Sequence, residues 1–146
     1  MDLTTSYPRS VHEKIAGVVM LARTFDKARA KAHDTIGEYH YDCPMDKGVF
    51  GFLDVDAAAF LQAATAAQND GDIERFVRPY VERKGAAAVE QFNAGFLQSA
   101  PQPGSEGETY FHELRSSIAP DRTDVITWAD LLDLDEKRSV PRRAAA

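Results

Sequence analysis

The densest run of side chains able to do chemistry lies between Arg23 and Pro44. Projected at about 100° per residue, Ile15, Val18, Val19 and Ala22 form an apolar stripe along an opening helix. Continued toward the C-terminus, that stripe passes through Asp26, Arg29 and His33, while Arg23 and Lys27 fall to one side, nearer the solvent. The stripe thus turns from apolar to ionisable without changing direction. A carboxylate and a guanidinium pointing inward need partners, because burying them alone is costly. An Asp26–Arg29 pair at spacing three would supply them and tie the helix to a loop. A cleft would also supply them, with Arg29 and Arg23 free to hold a carboxylate or phosphate in bidentate fashion.

The second group is Glu38-Tyr39-His40-Tyr41-Asp42-Cys43-Pro44. Read as extended chain, it puts Glu38, His40 and Asp42 on one face and Tyr39 and Tyr41 on the other. Two carboxylates and an imidazole on one face suit acid/base work or a divalent metal. No His-x-x-x-His or Cys-x-x-Cys spacing supports a metal, so no metal ligand is assigned. Cys43 directly precedes Pro44 and falls at the N-cap of the next helix, where the helix dipole favours a reactive thiol. The alternative is a small buried cysteine without reactivity. Tyr39 and Tyr41 either line a pocket or pack on the core, with hydroxyls satisfied by neighbours such as Asp26.

These residues define one candidate site. Asp26, His40 and Cys43 are the candidate catalytic groups, and Arg23, Arg29, Tyr39 and Tyr41 the candidate contacts to an anionic small molecule. No cofactor is implied, since the chain has no Gly-rich phosphate loop, dinucleotide fingerprint or Ser/His/Asp arrangement. A rival reading from another class is a non-catalytic helical module for protein interaction or self-assembly, marked by a large apolar surface patch away from the loop.

The elements that must position the site are helical. Ser10 and Glu13 have capping-box spacing, and a helical period runs from Ser10 to about Ala32. Pro44 suits the first turn of a helix that carries Val49, Phe50 and Leu53 inward, and Asp56 caps the next, which buries Phe60 and Leu61. Asn69-Asp70-Gly71 reads as a turn and Asp72 as the N-cap for Ile73, Phe76, Val77 and Tyr80, with Pro79 kinking or ending that helix near Arg78. Ala86 to Gln98 carries Val89, Phe92 and Phe96; a further helix carries Phe111, Leu114 and Ile118; a last one starts at Thr127 with Trp128, Leu131 and Leu132. The expectation is an all-α domain over residues 1–136, with about six short-to-medium helices around a long first one. Residues 137–146 are expected to form a solvated basic tail.

Composition narrows the function classes. The 146 residues are 44% hydrophobic and 27% charged, the balance of a globular chain. A net charge of −6 disfavours nucleic acid, which needs a basic face. The single cysteine, Cys43, precludes an internal disulfide and fits a reducing compartment. No signal-peptide pattern and no apolar run of spanning length is present, so no membrane is expected, and the cytoplasm follows by elimination.

Several blocks of the sequence also resemble a known family. Tyr7-Pro8-Arg9-Ser10, Arg23-Thr24-Phe25-Asp26-Lys27-Ala28-Arg29-Ala30 and Gly37 to Pro44 look like the domain-of-unknown-function family 5069 of bacterial proteins. Arg122-Thr123-Asp124 and Thr127-Trp128-Ala129-Asp130-Leu131-Leu132-Asp133-Leu134 are similar to its C-terminal block. The resemblance implies a compact domain that usually forms the whole protein, and it carries over no activity, cofactor or catalytic residue.

Overall fold

In the computed structural model, which describes residues 1–143, the chain opens with a hairpin in place of the long first helix. Strands β1 (Lys14–Ile15) and β2 (Val18–Val19) are antiparallel, with Lys14 opposite Val19 and Ile15 opposite Val18. The two residues between them, Ala16 and Gly17, have φ of 53° and 77°. Paired positive angles are what a tight two-residue hairpin turn requires. Ser10 and Glu13 close a turn through Glu13 N–H to Ser10 C=O (3.1 Å), and so do not cap a helix. The apolar residues recur at threes and fours across this stretch, but Gly17 interrupts the helix and lets the chain reverse.

Helix α1 (Leu21–Ala32) begins only after Met20, whose N–H donates to Val11 C=O at 2.9 Å. Nine of its twelve residues are buried. It is therefore the central helix, enclosed around most of its circumference, and it packs against α3. Helices α2 (Pro44–Leu53) and α3 (Ala57–Ala66) begin where the sequence predicts, at Pro44 and after Asp56, whose side chain accepts from Ala59 N–H. Helix α4 (Asp70–Lys84) is capped by Asn69, three residues earlier than expected, and it runs through Pro79 without ending. Pro79 is exposed, so the carbonyl left without its usual N–H partner can be hydrated. Helices α5 (Ala86–Leu97), α6 (Glu106–Ile118) and α7 (Trp128–Asp135) complete a mostly helical chain.

The chain divides into two compact units, Met1–Asn93 and Ala94–Ala146. In the first, Val49, Phe50, Leu53, Phe60, Ile73 and Val77 join Phe25 of α1 in the core. A run of rings links Tyr41 to Phe50 (6.0 Å between centroids), Phe50 to Phe60 (5.1 Å) and Phe60 to Phe76 (6.2 Å). In the second, Phe111, Val125, Leu131 and Val140 form a separate core with Leu114, Trp128 and Leu134 against it. The segment expected as a solvated tail is held there as far as Arg143. Val140 is buried and its carbonyl accepts from Arg122 (2.9 Å), while Arg142 pairs with Asp121 (2.7 Å) and Arg143 with Asp130 (2.9 Å). Acidic partners fix the basic residues; the rest of the predicted tail, 144–146, lies outside the described residues. Among the described residues no single helix is long and apolar enough to cross a membrane.

Asn93 joins α5 to the hairpin: its Oδ1 accepts from Val19 N–H (3.1 Å) and its Nδ2 donates to Gly17 C=O (2.8 Å). Asn93→Ala strands the buried Val19 N–H and is expected to cost about 1–3 kcal/mol, read as a lower urea midpoint at unchanged slope.

Candidate functional site

Because most of α1 is enclosed, its buried ionisable groups, Arg23, Asp26 and Lys27, must find partners inside the protein. Lys27 is buried, against the expectation that it lies nearer the solvent, with only 4% of its side chain exposed. Its ammonium donates to Asp46 Oδ2 (2.7 Å), to the His40 carbonyl (3.0 Å) and to Cys43 Sγ (3.3 Å). Asp46, fully enclosed at the third position of α2, also accepts from Thr24 Oγ1 (2.7 Å) and from the Cys43 N–H (3.2 Å). The last contact belongs to a capping box, which sets Cys43 at the N-cap and Pro44 at the first helical position.

Asp26 serves a second cluster on α1. It is buried, and the Asp26–Arg29 pair does not form. Asp26 instead accepts from the Arg9 N–H (2.8 Å) and from the Arg9 guanidinium at Nε and Nη2 (both 3.1 Å). The same guanidinium reaches Asp70 at the start of α4 (2.7 and 3.0 Å). The hydrogen bond with Asp70, the largest influence, holds the Arg9 guanidinium above its ordinary value, and Arg9 in turn holds the Asp70 carboxyl below its own. Arg23 is buried, donates to the Arg9 carbonyl (3.2 Å) and lies over the Tyr39 ring (5.6 Å to the centroid). Arg29 is half-buried and stacks over Phe25 (5.0 Å).

The loop between α1 and α2 is not extended. It turns at 37–38 and 41–42, with φ of 62° at both Gly37 and Asp42, so Glu38, His40 and Asp42 do not share a strand face. A side chain at Gly37 would also meet the Leu3 carbonyl at 3.0 Å. His40 is exposed and reaches the Lys27 cluster through its carbonyl. Tyr41 donates its hydroxyl to the Ala57 carbonyl (2.6 Å), and burial, ahead of the nearby carboxylates, pushes that hydroxyl up from its ordinary value. Asp42 pairs with Lys47 (2.7 Å). Among the described residues no group of three or more His, Cys, Asp or Glu is placed to hold a metal.

The structure therefore brings Cys43 to Lys27 of α1, whereas Asp26 belongs to the Arg9 cluster. Sequence reasoning missed Arg9, Thr24, Lys27, Asp46 and Asp70. Thr24 and Lys27 stand three apart, as do Cys43 and Asp46, and that double spacing was the available signal. A groove of about 620 Å³ lies elsewhere in the first unit, at Gly17, Val81, Gly85, Val89 and Asn93, and none of the seven predicted residues lines it.

Fold and site together define a mostly helical protein whose central helix is joined to its neighbours by buried ion pairs, with one half-buried thiol at the edge of one pair. The chain belongs to DUF5069, a domain of unknown function, whose pattern matches residues 5–138 and so spans Arg9, α1, the loop and Asp46. No curated protein matches the sequence.

Lys27→Met leaves the Asp46 carboxylate buried without its cation and is expected to cost about 3–5 kcal/mol in urea unfolding; adding Asp46→Leu should recover most of that loss. Asp70 has a folded pKa below its unfolded one, so its contribution is complete above the ordinary carboxylate value and disappears as pH falls through the lower folded value. Asp70→Asn should accordingly flatten the acid limb of a stability–pH curve below about pH 4 and leave its neutral-to-alkaline shape unchanged.

Proposed function

We propose that the protein acts on or binds a small anionic molecule at the N-terminal end of α2, with the Cys43 sulfur as the contacting or attacking atom. The observation that carries this reading is the 3.3 Å contact between the Lys27 ammonium and the Sγ of Cys43, a half-buried residue at a helix N-cap. A partly exposed sulfur beside a cation and the positive end of a helix is the environment in which cysteines become reactive. Arg23, held over Tyr39 of the same loop, adds positive charge for an anionic group. Asp26 and Tyr41 act at a distance: one fixes Arg9, the other fixes the loop to Ala57. His40, exposed on the loop, is the proton carrier available to a bound molecule.

One observation favours the rival, a non-catalytic interaction or self-assembly module. Every enclosed side-chain nitrogen and oxygen among the described residues already has a hydrogen-bond partner, so the clusters are complete without a ligand.

Alkylation of the native protein by iodoacetamide separates the two. The thiol reading expects Cys43 to label fully under folding conditions at neutral pH, faster than an unstructured cysteine peptide, and to be protected by small phosphates or carboxylates that also raise the melting temperature. Cys43→Ser should stay folded and unlabelled. Labelling that appears only in denaturant, together with a concentration-dependent oligomer, would establish the module instead.

A further inference from the structure

Lys27 and Cys43 stand close enough to react with each other. We propose that peroxide joins them covalently, making Lys27–Cys43 an oxidative cross-link between α1 and the start of α2. The inference rests on the reactive Cys43 of the preceding reading, and it adds a second nucleophile that the sulfur alone lacks. The Lys27 Nζ is 3.3 Å from Cys43 Sγ, and Asp46 Oδ2, 2.7 Å from the same nitrogen, is placed to receive its proton.

The chemistry balances with hydrogen peroxide as the named oxidant. The Cys43 sulfur attacks one peroxide oxygen; an S–O bond forms, the O–O bond breaks, and water leaves, giving the sulfenic acid. The ammonium passes a proton to Asp46, and the freed amine attacks the sulfenyl sulfur. An S–N bond forms, the S–O bond breaks, and a second water leaves after taking a proton. The pair loses two electrons and two hydrogens, and one peroxide is reduced to two waters. With a second peroxide one of its oxygens is inserted as an S–O–N bridge and one further water forms, three in all.

The surroundings favour this outcome over disulfide formation or over-oxidation. Cys43 is the chain's only cysteine, so no internal thiol competes for the sulfenic acid. The enclosed amine is already in contact with the sulfur, whereas a second protein molecule must reach a half-buried position. The link would close the loop from Lys27 to Cys43 and restrict the unfolded chain, as a disulfide does.

The test is peptide mapping of the full chain after brief exposure to peroxide and quenching without reductant. The expected product is trypsin-resistant at Lys27, with Thr24–Arg29 joined to Ala32–Lys47, about 2 Da lighter than the two separate segments, or about 14 Da heavier where oxygen is retained. The treated protein should also melt about 5 °C higher, and a thiol reductant should reverse both changes. Cys43 that takes iodoacetamide but gives sulfinic acid under peroxide, with Lys27 still cleaved, overturns the cross-link and leaves the thiol reading standing. Cys43 inert to both reagents in the native protein overturns both. The experiment uses the natural sequence, so it does not depend on a Lys27 variant that folds.

Discussion

The ammonium of Lys27 is the point at which the first unit is tied together. A lysine has three N–H donors and no acceptor, and here all three find partners on separate features: a loop carbonyl, an N-cap sulfur and a helix carboxylate. Asp46 is equally committed, to Lys27, to the Thr24 hydroxyl and to the Cys43 N–H. A buried pair of this kind does not by itself make a fold more stable than an apolar contact of the same size, because desolvation offsets the attraction. Its geometric consequence is plain. α2 can begin only where its third residue meets α1 at Thr24 and Lys27, and the intervening loop is fixed at His40 and Cys43.

A second joint sits one residue away on the same helix. Asp26 and Lys27 are consecutive, so their side chains leave α1 about 100° apart and serve different neighbours. Asp26 binds the segment before the hairpin through Arg9, and Arg9 continues to Asp70 of α4. Arg23 reinforces this joint by donating to the Arg9 carbonyl. The ionisable residues of α1 therefore act as connections among three segments, which explains why the pattern resembled a cleft when read as a single helix face.

Much of the helical layout was legible because each start carries a local chemical signal. Pro44, Asp56 and Thr127 stand at helix starts for reasons confined to a few residues, and the structure places α2, α3 and α7 accordingly. The hairpin was missed because Val11, Ile15, Val18 and Val19 satisfy a helical period, and only Gly17 argued against it. The site was half legible. Asp26 does turn inward, but its partner is Arg9, seventeen positions earlier, and nothing local announces that pairing. Lys27 was assigned to the solvent because a one-face projection assumes the opposite face is wet. For a helix enclosed on most sides that assumption fails, and Arg23, Asp26 and Lys27 are all buried, whereas Lys31 in its last turn stays exposed.

Cys43 differs from every other member of its cluster in what it would cost to disengage. Removing Asp46 or Thr24 from the network leaves a buried charge or hydroxyl partner unmet. Sulfur is a weak acceptor, so the Lys27–Cys43 contact is the one that can be exchanged for another partner while Lys27 keeps Asp46 and the His40 carbonyl. The half-buried position of Cys43 gives that exchange a route from solvent that Lys27 and Asp46 lack. At this end of α2 the stronger groups are thus committed to holding the fold, and the weaker one, the sulfur, is left at the edge.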